Sequence, residues 1–165
     1  MKMNPGLEGP PRLDEQLCFP LYAAANVIAR VYRPLLEPLG LTYPQYLVML
    51  ALWESAPASV GEIGKRLLLD SGTLTPLLKR LELAGIVQRQ RDAKDERRVL
   101  VDLTPAGHRL KFKARAVPEA LACRVLATPI DAVRLRQDLK ALLAALNSAA
   151  GEDSSTLTRK KANSK

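Results

Sequence analysis

Cys18 and Cys123 are the two thiols of a 165-residue chain that also carries one histidine, His108, and four tyrosines. Cys18 lies two residues before Pro20, close to an expected helix N-terminus, where partial positive charge favours the nucleophilic thiolate that attacks peroxides. Tyr22, Tyr32 and Tyr43 supply phenol hydroxyls that could donate hydrogen bonds to a thiolate in an apolar site. The competing reading of Cys18 is an inert buried residue, since free cysteine is commonly buried. On spacing alone Cys123 is ordinary helix filler. His108 makes no triad, because neither a nucleophile elbow nor a glycine-rich phosphate loop is present, and it reads as a surface residue. Two cysteines and one histidine cannot supply a four-ligand zinc site of regular spacing. No metal, no cofactor and no hydrolase chemistry are therefore expected.

Charge points to a different partner. Twenty-five Lys and Arg against 17 Asp and Glu leave a formal charge of +8, which favours a polyanion: nucleic acid first, an anionic membrane second. The longest apolar run, Tyr46 to Trp53, is far below the roughly 18 residues that span a bilayer, and no apolar stretch at the N-terminus could serve as a signal. A cytoplasmic protein without membrane contact is expected. The basic excess is local. Residues 79–98 hold Lys79, Arg80, Arg89, Arg91, Lys94, Arg97 and Arg98, whereas residues 1–37 balance acids and bases. A further set, Arg109, Lys111, Lys113 and Arg115, either extends a phosphate-contacting surface or is a solvated face.

The elements that must position these groups read mostly as helix. Residues 1–11 form a loose Pro- and Gly-bearing arm. Residues 12–40 form a first helical region with Leu21, Ala25, Ile28, Tyr32 and Leu35 on one stripe, Pro20 in its first turn, and Pro34 and Pro38 ending or kinking it before Gly40. Thr42 with Gln45, and Ser59 with Glu62, have capping-box spacing and open two more helices. Asp70, Ser71 and Gly72 read as a turn, followed by Leu74, Leu77, Leu78, Leu81 and Ala84 at helical spacing up to Gly85. Strands are expected over Ile86 to Arg91 and Arg98 to Leu103, forming a two-stranded hairpin wing. Residues 41–104 thus make a winged helix-turn-helix. Residues 105–147 make two C-terminal helices: one from Thr104 and Pro105 to near Thr128, interrupted by Pro118, and one from Thr128 and Pro129 to about Asn147. The last carries an apolar face (Ile130, Val133, Leu139, Leu142, Leu143, Leu146) that nothing later in the chain covers, so a second subunit is expected to. Residues 148–165 read as a flexible basic tail. The fold class is mainly α.

The strings DSGTLTPLLKRLELAG (70–85) and DERRVLVDLTPAG (95–107) resemble the MarR family of winged-helix repressors, and LCFPLY, Tyr32 and LTYPQYLVMLALWE narrow this to the organic hydroperoxide resistance regulator subgroup. The resemblance covers roughly residues 13–146. It implies a homodimer that binds an inverted-repeat operator in double-stranded DNA and releases it when an organic hydroperoxide oxidises Cys18. It also implies that Tyr32 and Tyr43 support the thiolate, Tyr22 standing on its phenol chemistry alone, and that Cys123 forms a disulfide with Cys18 of the other subunit. For DNA, helix position and resemblance together nominate Ser71, Thr73, Thr75, Pro76, Lys79 and Arg80 on the recognition helix. On the wing they nominate Arg89, Arg91 and Arg97, the last inserted in the minor groove and oriented by Asp95. Tyr46 and Trp53, seven apart on one helix face, read as core. Two other functions stand beside this one. A regulator of the same fold released by a small aromatic ligand would leave Cys18 a bystander, and a thiol peroxidase would leave the wing and its charges unexplained.

Overall fold

The computed structural model of the chain describes residues 12–125 and 130–162, and side chains over 12–123 and 130–149. The expected arm at 1–11 and the start signal at Thr128 and Pro129 lie outside the described residues. Two compact units are present, the first running to Leu121 and the second beginning at Ala122.

Local chemistry explains where most helices begin. Helix α1 (Cys18–Leu36) opens at Cys18 itself and carries Pro20 in its first turn, where the missing N–H costs nothing. It runs through Pro34 to Leu36 and gives way to a 3-10 turn (Glu37–Leu39) that ends on Gly40 at φ 67°, a left-handed position suited to glycine. Helix α2 (Tyr43–Glu54) starts where the Thr42 N–H and hydroxyl both donate to Gln45 Oε1, at 2.8 and 3.0 Å. Strand β1 (Ala58–Ser59) leads into α3 (Val60–Leu67), whose box is reciprocal: the Ser59 N–H donates to Glu62 Oε2 at 2.7 Å and the Glu62 N–H to Ser59 Oγ at 3.2 Å.

Helix α4 (Ser71–Leu83) follows. Asp70 is its N-cap, accepting the Thr73 N–H at 2.9 Å, so Ser71 and Gly72 belong to the helix and not to a turn. The chain reverses earlier, at Leu68, which sits at φ 54°. Leu74, Leu78 and Leu81 are fully buried against Val48, Met49 and Leu52 of α2, Ile63 of α3 and Leu36 of α1. These three members of the expected stripe form the core of the helix-turn-helix; Leu77 is half-buried and Ala84 is exposed.

Gly85, at φ 67°, turns the chain into β2 (Val87–Arg91), and β3 (Val99–Leu103) returns antiparallel with Val87 opposite Leu103 and Arg91 opposite Val99. The wing was expected to have two strands; β1 adds a third along β3, Ala58 opposite Val101, giving the order β1-β3-β2. Two residues are too few to show strand alternation in a sequence.

Thr104 caps α5 (Pro105–Lys113) by accepting the Gly107 N–H at 3.2 Å, while its hydroxyl donates to the Gly85 carbonyl at 2.6 Å. The expected long helix breaks at Ala114 and Arg115, not at Pro118, and resumes as α6 (Ala116–Val125) with Pro118 in its first turn. A proline ring fouls the carbonyl four residues earlier, here Ala114, so the break falls one turn upstream. Helix α7 (Ala132–Ala162) also differs from expectation. Asp131 starts it, its Oδ1 accepting the Val133 and Arg134 N–H groups at 3.0 Å each, which leaves Ile130 ahead of the helix. Its backbone continues well past Asn147, because a polar composition without proline does not stop a helix. Leu142 is half-buried, but Val133, Leu135, Leu139, Leu143 and Leu146 are 37–57% exposed.

Candidate thiol site and nucleic-acid interface

The phenols gather at the end of α1 and the start of α2. Tyr32 and Tyr43 stack with ring centroids 4.6 Å apart, and Tyr46 joins from the next turn of α2 at 5.8 Å from Tyr32. Tyr46 in turn meets Trp53 edge-on at 6.2 Å. Burial, reinforced by Tyr43 and Tyr46, pushes the Tyr32 phenol up to about 12. Burial likewise raises Tyr43 and Tyr46. All three phenols therefore stay protonated at neutral pH and available as donors. Beside them lies an open concavity of about 500 Å³ lined by Ala29, Arg33, Glu37, Leu41, Thr42 and Tyr43.

Cys18 is not part of this cluster within the chain. It is exposed at the first position of α1, and Tyr32 lies fourteen residues farther along the same helix, a separation of about 21 Å at the helical rise. Tyr22, one turn from Cys18, is 69% exposed, as are Leu17 at 66% and Phe19 at 37%. Cys123 is exposed on α6 and belongs to the second unit, whereas Cys18 belongs to the first. Tyr46, read from the sequence as core, is buried and is also the third member of the phenol cluster. Its position three residues after Tyr43 on one helix was the available signal.

Helix α4 and the wing form one basic surface. Ser71, Thr73, Thr75, Pro76, Lys79 and Arg80 are all exposed, while Leu74, Leu78 and Leu81 are buried. The Thr73 hydroxyl donates to Asp70 Oδ2 at 2.7 Å, leaving its oxygen lone pairs outward as acceptors. That hydrogen bond holds the Asp70 carboxyl below the usual carboxylate range. Arg91 is exposed and has no ion-pair partner among the described residues. At the wing tip Arg97 is 93% exposed, and its N–H and Nε donate to Asp95 Oδ1 at 3.1 and 3.3 Å. Arg89 differs from expectation. Its guanidinium is half-buried and engaged by Glu82 of α4, with Nε 2.8 Å from Oε2, because it points back across the Gly85 corner and not outward. Glu62 similarly accepts from Arg98 at 3.3 Å. The sequence reading placed Glu62 only in its capping box and passed over Glu82, which stands seven residues before its arginine. Between α3, α4 and the wing lies a cleft of about 450 Å³ lined by Ser59, Val60, Thr75, Arg89, Arg97 and Arg98.

The second basic set is partly structural. Lys111 Nζ donates to the Trp53 carbonyl at 2.8 Å, capping α2, and Arg115 lies over the Phe112 ring at 4.9 Å. His108 is exposed. No helix among the described residues is long and apolar enough to cross a membrane, and no cluster of metal-ligating side chains is present among them.

Comparison with known proteins converges on one family. The family described as transcriptional regulator SarA/Rot matches residues 30–113. The HTH-type transcriptional regulator TtmR of Methylorubrum extorquens is 57% identical over 116 residues, which span 70% of this chain and 60% of that regulator. The organic hydroperoxide resistance transcriptional regulator of Bacillus subtilis is 44% identical over 136 residues, 82% of this chain and 92% of its own. Among solved structures, overoxidised AbfR bound to DNA superposes with a TM-score of 0.66 at 39% identity, covering 82% of this chain and 95% of that one. With the helix-turn-helix, the wing and a mainly helical fold already in place, these likenesses make the chain a member of the MarR family of winged-helix regulators, a transcriptional regulator and not an enzyme.

Proposed function

We propose that the chain is a homodimeric repressor that binds an inverted-repeat operator and releases it when an organic hydroperoxide oxidises Cys18. The observation that carries this reading is the separation of the thiol from its phenols. The Tyr32–Tyr43 pair is a preformed set of protonated donors, yet it lies about 21 Å from the Cys18 of its own chain. Two copies with their α1 helices antiparallel bring the phenols of one protomer to the Cys18 of the other. The α1 stripe, left half-exposed from Leu21 to Leu35, and the exposed face of α7 supply apolar surface for such pairing. The likeness to the Bacillus subtilis regulator, whose name states its response to organic hydroperoxide, agrees.

The chemistry balances in two steps. The Cys18 thiolate attacks the distal peroxide oxygen, the O–O bond breaks, and the alkoxide leaves with a proton as the alcohol; sulfur loses two electrons and becomes the sulfenic acid. The Cys123 thiol of the partner then displaces hydroxide as water and closes a disulfide between subunits. Its geometry requires the two Cα atoms within about 7 Å. Bringing the helices to that distance shifts the recognition helices relative to fixed half-sites, which costs contacts on both sides. In the DNA-bound state Ser71, Thr73, Thr75, Pro76, Lys79 and Arg80 face the major groove, Arg91 meets phosphate and Arg97, held by Asp95, enters the minor groove.

A gel shift on operator DNA tests this. Wild type should release the DNA on stoichiometric cumene hydroperoxide, and Cys18→Ser should stay bound. A second reading is favoured by the concavity beside Tyr43, where Arg33 could hold the carboxylate of an aromatic ligand. Under it, Cys18→Ser responds to its inducer as wild type does.

A further inference from the structure

Glu82 stands in the last turn of α4 and makes every one of its side-chain hydrogen bonds to a single residue of the wing. The Arg89 N–H donates to Oε1 at 3.2 Å, and Arg89 Nε and Nη2 donate to Oε2 at 2.8 and 2.5 Å. The Glu82 carbonyl also accepts the Gly85 N–H at 2.9 Å, so one residue fixes both the left-handed corner and the strand that leaves it. The two side chains are only 28% and 35% exposed, and the arginine holds the Glu82 carboxyl below its ordinary range.

We propose that Glu82 is the positioning residue of the wing: by clasping Arg89 to the recognition helix, it sets the pitch at which Arg97 meets the minor groove while the first turn of α4 occupies the major groove. This rests on the reading of α4 and the wing as the DNA-contacting elements. The wing tip begins three residues beyond Arg89, a lever of about 10 Å at the rise of a strand. A swing of about 15° at Arg89 displaces the tip by roughly 3 Å, enough to break a hydrogen bond or lift a guanidinium out of a narrow groove.

The clasp has a second consequence. While Glu82 holds it, the Arg89 charge is offset and its Nε and Nη2 are engaged, so Arg89 adds less to sequence-independent attraction for phosphate than a free arginine does. Removing the carboxylate then does two opposite things. Operator affinity falls because Arg97 is misplaced, and affinity for unrelated DNA holds or rises because a cation is freed. A residue that merely stabilised the fold would weaken both.

The test uses the full-length reduced protein, a duplex selected by wild type from a random pool, and a scrambled duplex of equal length, measured by fluorescence anisotropy with thermal melts as a control. Glu82→Gln should weaken binding to the selected duplex about tenfold and leave binding to the scrambled one unchanged or tighter. Arg97→Ala should also weaken the selected complex, but its penalty should shrink below about twofold in the Glu82→Gln background, because a misplaced Arg97 has little left to lose. The swap Glu82→Arg with Arg89→Glu should recover at least about threefold over Glu82→Gln, which separates lost positioning from lost folding. Additive penalties for Glu82→Gln and Arg97→Ala, or parallel weakening on both duplexes, would overturn the clasp and leave the DNA-contact reading standing. An Arg97→Ala protein that binds the selected duplex as wild type does would remove the wing from the interface, and the clasp with it.

Discussion

The indole Nε1–H of Trp53 donates to the Gly107 carbonyl at 3.0 Å in the protein interior, and the Trp53 carbonyl accepts from Lys111 Nζ at 2.8 Å. The end of α2 is thereby tied twice to α5. Gly107 is also pressed against the root of the wing: a Cβ there would stand 2.2 Å from the Ile86 carbonyl oxygen. That oxygen already accepts the Thr104 N–H at 3.1 Å.

Gly107→Ala should consequently destabilise the fold by more than about 2 kcal/mol, since backbone and not a yielding side chain occupies the space. Trp53→Phe, which loses one buried hydrogen bond while keeping a ring beside Tyr46, should cost less, about 1–3 kcal/mol. Urea unfolding of both variants checks the order. A Gly107→Ala protein as stable as wild type would contradict the close approach.

The sequence nominates Lys79 as a DNA contact and leaves Lys111 open between a phosphate-contacting surface and a solvated face; Lys79 is exposed on α4, whereas Lys111 is bonded to the Trp53 carbonyl. Lys79→Ala should leave the melting temperature unchanged, weaken operator binding, and lower the salt slope by about one phosphate equivalent per protomer. Lys111→Met should do the reverse, costing about 1 kcal/mol of stability through the uncapped Trp53 carbonyl with little change in the salt slope. Equal effects on DNA would return Lys111 to the interface.

Tyr32 links the phenol cluster to pH. Its folded value, about 12, is raised above the ordinary 10.0, so the folded state holds the proton more tightly than the unfolded chain does. The stability this contributes is complete below pH 10 and is lost as pH rises from 10 toward 12. Phenolate absorbance should show a late step that disappears in Tyr32→Phe, and the alkaline fall in stability should become shallower in that variant. An unchanged late step would place the raised phenol elsewhere.

Leu68 occupies the left-handed region at φ 54° and is 59% exposed. A non-glycine residue there bears roughly 1–2 kcal/mol, of which glycine relieves most while adding about 0.5–1 kcal/mol of unfolded-chain entropy. Leu68→Gly should therefore be neutral or stabilising by up to about 1 kcal/mol, against the destabilisation usual for a helix-end leucine. A loss above 1 kcal/mol in urea unfolding would show that the exposed side chain contributes packing.

That position also shows where the sequence stopped being legible. Periodicity and capping residues revealed most helix starts, the recognition helix and the hairpin, because Thr42, Ser59, Thr104 and Gly85 act through bonds within a few residues of themselves. The reversal at Leu68 was invisible because leucine is no turn former, and Asp70-Ser71-Gly72 drew the turn to itself when Asp70 was a cap. Strand β1 exists only through its pairing with Leu100 and Val101 of β3. The break before Pro118 acts four residues from its cause. The site was partly legible: side-chain type and helix face nominated the exposed residues of α4, but the capture of Arg89 by Glu82 depends on the corner at Gly85. The separation of Cys18 from Tyr32 followed from helix length alone, once α1 was seen to run unbroken between them.

Whether oxidation of Cys18 releases the operator is decided by one titration read two ways. Operator anisotropy and the free Cys18 thiol, quantified by mass spectrometry, are followed together as cumene hydroperoxide is added to the reduced protein on DNA. Release should track loss of the Cys18 thiol, complete near one equivalent per protomer. Release with Cys18 still reduced, or full oxidation of Cys18 with the operator still bound, would contradict it.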